Sequence, residues 1–158
     1  PTNPMSSATE ARLKYLGITL PQPAAPVANY VPYVESHGML YISGQIPVGA
    51  EGIQYVGKVG AGLDIDDGRV AARLCAINIL AQVKAALGDL DKVARVVRLG
   101  GFVNSTPDFV DAPKIINGAS DLMVAAFGDK GRHSRAAVGV ASLPADCAVE
   151  VDAVFEVA

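Results

Sequence analysis

The most regular alternation in the chain lies at its C-terminal end. Cys147, Val149, Val151, Ala153, Phe155 and Val157 fall on one side of an extended segment, and Glu150, Asp152 and Glu156 on the other. That period of two predicts a strand with one covered face. Further strands are predicted over residues 30–36, 39–45, 93–104 and 135–142, the first two separated by His37-Gly38. A period of 3.6 governs two other stretches. Val70, Leu74, Ile77, Leu80 or Ala81, and Leu87 form one helical stripe, preceded by Asp64, Asp66 and Asp67 and stopped by Gly88. Ile115, Ile116, Leu122, Met123 and Ala126 form a second, opened by Asp111-Ala-Pro113 and ended by Phe127-Gly128. Ser7-Ala-Thr-Glu10 reads as a capping box for a short helix over residues 8–16, followed by a stiff connector carrying Pro21, Pro23 and Pro26. Residues 49–62 are Gly-rich and loop-like, with room for a short edge strand over 53–56.

The resulting order, α-β-β-α-β-α-β-β, predicts one α+β domain over residues 1–158: a mixed sheet with both long helices on one face. Residues 1–24 supply the N-terminal helix and the connector. A short turn around Leu143-Pro-Ala-Asp146 predicts that the last two strands form a hairpin, placing Arg135 and Glu150 on neighbouring strands at about the same level. The helix-free face is expected to carry small residues such as Ala137, Gly139 and Ala141 and to need a partner, most economically further copies of the same chain. Composition points the same way: hydrophobic residues make up 51%, yet there are 25 Ala and no Trp. Small side chains suit close backbone packing, and a subunit interface is the expected place for them.

Charge and cysteine content remove several classes of function. The net charge is −3, and Lys and Arg are scattered, so nucleic acid is not an expected partner. Cys75 and Cys147 form neither a redox pair nor a zinc pattern and read as buried free thiols. His37 and His133 have no partners at ligand spacing, so no metal is expected. No glycine-rich phosphate motif or nucleophile motif is present, and no cofactor is expected. The apolar runs are too short for a membrane span, and residues 1–12 lack the pattern of a secretory signal, so a cytoplasmic location is expected.

Few polar groups remain as candidates for chemistry. Arg135 opens a strand of small residues, which leaves space around its guanidinium for a planar carboxylate. Paired with Glu150, it reads either as a structural ion pair or as the polar part of a ligand site. Ser43-Gly44-Gln45 ends an apolar strand where a loop can present backbone N–H groups, and Tyr30 follows the proline segment and can cover a pocket.

Together, Leu40-Tyr-Ile-Ser-Gly-Gln-Ile-Pro47, Arg135-Ala-Ala-Val-Gly-Val, Leu143-Pro144 and Val149-Glu-Val-Asp-Ala153 resemble the Rid (reactive intermediate deaminase) family, also called the YjgF or L-PSP endoribonuclease family. Asn78, Pro107-Asp-Phe109 and Phe127-Gly128 add weaker matches, and the resemblance spans residues 25–158. The N-terminal extension is similar to that of a divergent chorismate-mutase-like branch. The resemblance implies a chorismate-mutase-like fold assembled as a homotrimer with sites in the clefts between subunits. It also implies hydrolysis of short-lived 2-enamine or 2-imino acids to 2-keto acids and ammonia, without a cofactor. In that scheme Arg135 grips the substrate carboxylate, Glu150 positions a water, Tyr30 lies over the site, and Ser43, Gly44 and Ala137 line it. This chain has Ala137 where deaminating members often carry Cys or Thr, and His133-Ser134 where Pro-Ala is usual. Tyr33 is an alternative to Tyr30 as the cover. A trimer that binds a small carboxylate without turnover, and an endoribonuclease, are the alternative functions.

Overall fold

The computed structural model describes residues 7–26 and 28–158. Residues 1–6, the head of the single unit read from the sequence, and Val27, inside the stretch that carries the family resemblance, lie outside the described residues.

Helix α1 (Ala8–Tyr15) is capped by Ser7, whose Oγ accepts from the Glu10 N–H at 3.2 Å. The predicted capping box is only half formed, because the Glu10 carboxylate pairs with Lys84 instead. The free N–H groups of Ala8 and Thr9 donate to the Asp91 carboxylate at 2.7 and 2.9 Å, which supplies the negative charge a helix start favours. Strands β1 (Tyr33–Ser36) and β2 (Met39–Gln45) are joined by His37 and Gly38, both left-handed (φ 52° and 76°), the geometry that matches a two-residue turn to strand twist. The first strand begins three residues later than the sequence suggests. Its approach is tied sideways instead: Ser43 N donates to Pro32 O at 2.9 Å and Ser43 Oγ to Val31 O at 2.7 Å.

The Gly-rich stretch forms two small ladders, β3 (Val48–Gly49) with β4 (Gly52–Ile53) and β5 (Lys58–Val59) with β6 (Gly62–Leu63). The strand expected over 53–56 is broken at Tyr55, whose φ of 59° turns the chain, and Val56 keeps only an isolated bridge to Cys147. Helix α2 (Ile65–Leu87) starts in a complete capping box, with Asp67 N donating to Asp64 at 2.8 Å and Asp64 N to Asp67 at 3.0 Å. Contrary to the expectation from the apolar runs, this helix is long and apolar enough in length and composition to cross a membrane, but most of its apolar stretch is buried inside the fold. Strand β7 (Val93–Asn104), helix α3 (Ala112–Phe127), strand β8 (Ser134–Val140) and strand β9 (Val149–Val157) complete the chain.

The five-stranded sheet runs β1-β2-β9-β7-β8. β9 inserts between β2 and β7, antiparallel to both, and β8 pairs with β7 in parallel. The predicted β8–β9 hairpin is therefore absent, and Arg135 and Glu150 do not occupy neighbouring strands. The link between them arches over the end of β7, where Asn104 holds it from below. Asn104 is fully buried, and its amide donates to Asp146 at 3.0 Å and to Cys147 O at 3.2 Å. A buried amide with these partners satisfies the polar groups of an arch that no ladder covers.

Both long helices lie on one face, over a core that includes Leu40, Leu99, Val149, Val151 and Phe155. Part of the small-residue content is used here. Ala71, Ala72, Cys75, Ala76, Ala119 and Ala126 are all fully buried, and a Cβ on Gly118 would strike the Arg69 carbonyl of the facing helix. These alanines serve close helix packing within the chain. Ala137 and Gly139 also sit on the helix side: Ala137 packs against the core, and Gly139 is level with buried Val103. The helix-free face carries larger groups instead. Val34, Tyr41 and Val138 are exposed there, Phe102 and Val154 are half-buried, and Arg98 lies 3.7 Å from Asp152.

Candidate active site

At the end of β2 the ladder to β9 slips: Ile42 is level with Ala153 but Gln45 with Val151, so Ser43 and Gly44 together oppose Asp152. Such a bulge bends the strand and takes its residues out of regular pairing. A cavity of about 350 Å³ opens beside it. Tyr30, Ser43, Gly44 and Glu150 all line it, as do Pro144 and the connector residues Ala24, Ala25 and Pro26. Tyr33, the alternative cover, is turned away and packs against the hydrophobic core.

Glu150 projects from β9 directly onto Gly44. A Cβ at residue 44 would lie 2.5 Å from Glu150 Oε2 and 3.0 Å from its Cδ, so glycine is what lets the carboxylate lie against the bulge. Burial pushes the Glu150 carboxyl above its usual range, and the neighbouring Asp152 adds to the rise. A carboxylate raised in this way is a better proton acceptor at neutral pH than an exposed one. The two cysteines are free and buried, and burial with the charge of Glu150 pushes the Cys147 thiol up to about 11. Burial likewise holds Cys75 well above the ordinary thiol range, so neither is a ready nucleophile. Among the described residues no cluster of three or more His, Cys, Asp or Glu is arranged to hold a metal.

Two residues of α2 fix the cavity walls. Asn78 Nδ2 donates to the carbonyls of Ile46 and Val48, both at 3.0 Å, and Gln82 Nε2 donates to Ala24 O at 2.8 Å. One turn apart on the buried stripe, they hold the loop after β2 and the proline connector against the same helix. Gln82 was not singled out in the sequence, although an amide four residues from Asn78 on an otherwise apolar face is a readable signal. The connector is thus a wall of the cavity rather than a passive linker.

Arg135 and Ala137 lie elsewhere. Arg135 is level with Leu99 and shares the helix face, whereas Glu150 is level with Phe102 on the opposite face. Two strand spacings and three residues of rise put their Cα atoms about 14 Å apart within one chain. The Arg135 side chain lies on α3: Nη1 donates to Asn117 Oδ1 at 2.8 Å and Ser120 Oγ at 3.1 Å, and Nη2 donates to Pro113 O at 3.1 Å. Residues 113, 117 and 120 form one stripe of that helix. Three of the five guanidinium donors are occupied; Nε–H and one Nη2–H remain, and these form one edge of the fork that receives a carboxylate.

Each chain therefore carries two separated polar features on an α+β scaffold with one helical layer: the Glu150 carboxylate in the cavity at the bulge of β2, and the Arg135 guanidinium anchored on α3 at the edge strand. The sequence profile of the YjgF/chorismate-mutase-like, putative endoribonuclease family matches residues 10–156, and the chain belongs to that family. It is 51% identical over 152 residues to Protein TCP17 of Trypanosoma cruzi, covering 96% of this chain and 95% of that one. It is 52% identical to Atu1372 of Agrobacterium tumefaciens, a protein of unknown function, with a TM-score of 0.89 over 95% of this chain and 92% of that one. It is 25% identical to E. coli TdcF, solved with bound serine, with a TM-score of 0.63 over 89% and 97% of the two chains.

Proposed function

We propose that the protein hydrolyses reactive 2-imino acids, the tautomers of 2-enamine acids, to 2-keto acids and ammonia, in clefts between the subunits of a homotrimer. The observation that carries this reading is the half-buried Glu150 carboxylate, held against Gly44 in a cavity whose ionisable lining groups, among the described residues, are Tyr30 and Glu150. Arg135 lies too far from that cavity to serve it from the same chain, and its unused fork edge belongs to an edge strand. A neighbouring copy that brings its own Arg135 to the cleft supplies the missing cation. The exposed apolar groups Val34, Tyr41 and Val138 on the helix-free face give such copies a surface to bury. Serine bound by TdcF shows that a relative takes a small amino acid, a ligand of the same carboxylate class.

The chemistry asks little of the protein beyond placement. Arg135 holds the substrate carboxylate, and Glu150 accepts a proton as water oxygen bonds to the imine carbon. With the imine protonated on nitrogen, the C=N π pair moves to nitrogen and leaves a C–N bond in a neutral carbinolamine. The proton held by Glu150 passes to the amine nitrogen, the C–N bond breaks with its electron pair going to nitrogen, and ammonia leaves as the hydroxyl returns a proton to the Glu150 carboxylate to form the ketone. No electrons leave the substrate, so no redox partner is required. RNA cleavage has less support, because the chain carries a net charge of −3.

Enzymatically generated 2-iminopropionate tests the proposal. The protein is expected to accelerate pyruvate formation, and Arg135→Ala to abolish the acceleration while leaving the fold intact. No acceleration beside an active reference deaminase overturns the assignment. Stabilisation by keto acids without turnover points instead to a carboxylate-binding module.

A further inference from the structure

We infer that His133 and Ser120 are positioning residues that aim Arg135, and that their action depends on His133 being neutral. The inference rests on the reading of Arg135 as the carboxylate clamp. Its basis is a directional chain of hydrogen bonds. His133 Nδ1 lies 2.6 Å from Gly131 O. A carbonyl can only accept, so Nδ1 carries the ring proton. Nε2 is then an acceptor, and the Ser120 hydroxyl, 2.8 Å away, donates to it. With its proton committed, Ser120 Oγ turns a lone pair to Arg135 Nη1 at 3.1 Å. Asn117 Oδ1 takes the other Nη1 proton at 2.8 Å and Pro113 O takes one from Nη2 at 3.1 Å. The guanidinium is thereby fixed in rotation, with its Nε–H/Nη2–H edge left for a ligand.

Protonation of His133 reverses this order. Nε2 becomes a donor, the Ser120 proton has to point elsewhere, and a second positive charge stands beside Arg135. Burial already disfavours the charged ring and the Arg135 charge opposes it further, against the pull of the Gly131 carbonyl, which leaves the group below its ordinary range. On α3 the residue that meets the ring, Ser120, is uncharged. The turn before β8 carries Asp129, Lys130 and Arg132, with Arg132 Nε 3.5 Å from Asp129, and β7 brings Arg95, whose Nη2 donates to Arg132 O at 3.1 Å.

The test is the binding of 2-oxobutanoate by titration calorimetry between pH 5 and 8, where its own carboxylate stays ionised. Wild-type protein is expected to bind more weakly as pH falls through the His133 transition, and His133→Gln, whose Oε1 can accept from Ser120 without titrating, to lose that component. Glu150 titrates in both proteins, so the difference belongs to residue 133. Ser120→Ala is expected to weaken binding roughly three- to tenfold at pH 8, the scale of one charge-assisted hydrogen bond, and to flatten the same difference. In turnover the change should fall on KM with kcat little altered. Identical pH profiles for wild type and His133→Gln, or unchanged affinity in Ser120→Ala, overturn the inference while leaving Arg135 as the clamp. Binding that is absent, or indifferent to Arg135→Ala, overturns both.

Discussion

Replacing Gly44 by alanine probes the contact on which the acid–base cleft depends. The new Cβ would stand 2.5 Å from Glu150 Oε2, 3.0 Å from Cδ and 3.2 Å from Cγ. Ordinary contact lies near 3.4 Å or beyond, so the carboxylate has to retreat by about 1 Å. The backbone offers no resistance of its own, because Gly44 lies outside the left-handed region that excludes other residues. The obstacle is the end of a flexible side chain, so the expected loss of stability is small, on the order of 1 kcal/mol or less. Catalysis should suffer more, since misplacing a reacting group by about 1 Å can cost roughly a hundredfold in rate. The assay is kcat/KM for keto-acid formation from 2-iminopropionate, read beside the melting temperature. Glu150→Asp, one methylene shorter, restores room at residue 44, so the double variant should lose less than the sum of the two single losses. Near-wild-type turnover by a folded Gly44→Ala protein, or strict additivity in the double variant, would refute the role given to this contact.

Two further outcomes follow from the same structure. Glu150→Gln should abolish turnover yet raise the melting temperature at pH 7. Burial lifts the folded-state pKa of Glu150 above its reference of 4.5, so its stabilising contribution is complete below that pH and is lost as pH rises through the folded value. Calorimetry at pH 4 and pH 7 checks the sign, and a variant less stable than wild type at pH 7 contradicts it. Gly118→Ala, which drives a methyl group into the Arg69 carbonyl across the α2–α3 contact, should destabilise the protein by about 1–3 kcal/mol. Chemical denaturation measures this, and an unchanged midpoint would show that the helices can slide apart at no cost.

The cleft and the clamp differ in how far they could be read in advance. Ser43, Gly44 and Glu150 sit in strands whose alternation and flanking turns are local signals, and the structure gathers them with Tyr30 at one cavity. The relation of Arg135 to Glu150 is not legible in the sequence, because a short connection between two strands looks the same whether they pair or straddle a third. What decides it is the buried Asn104, which gives the arch its hydrogen-bond partners and so permits β7 to lie between. The roles of Gln82, Asn117 and Ser120 are not legible in the sequence, because each is an isolated polar residue whose partner lies on another element, and His133 carries no signal of its contact with Ser120.

The long helices and strands, their order and the layer architecture were legible in the sequence alone, since periodicity, caps and turn residues act over a few residues and are written where they act; the two small ladders of the Gly-rich stretch were not. The sequence also determined which residue types were available for chemistry in a chain built so largely of small apolar groups. Only the tertiary structure decided the strand order, the face to which each side chain points and the anchoring of Arg135 on α3. Those depend on contacts between distant segments, where shifting one strand by a single position, or inserting another beside it, moves a side chain from one face or one neighbour to another. The alanines are the plainest case: the composition announced close packing, and the fold decided which of them, Ala71, Ala72, Ala76, Ala119 and Ala126 among them, are buried under the helices.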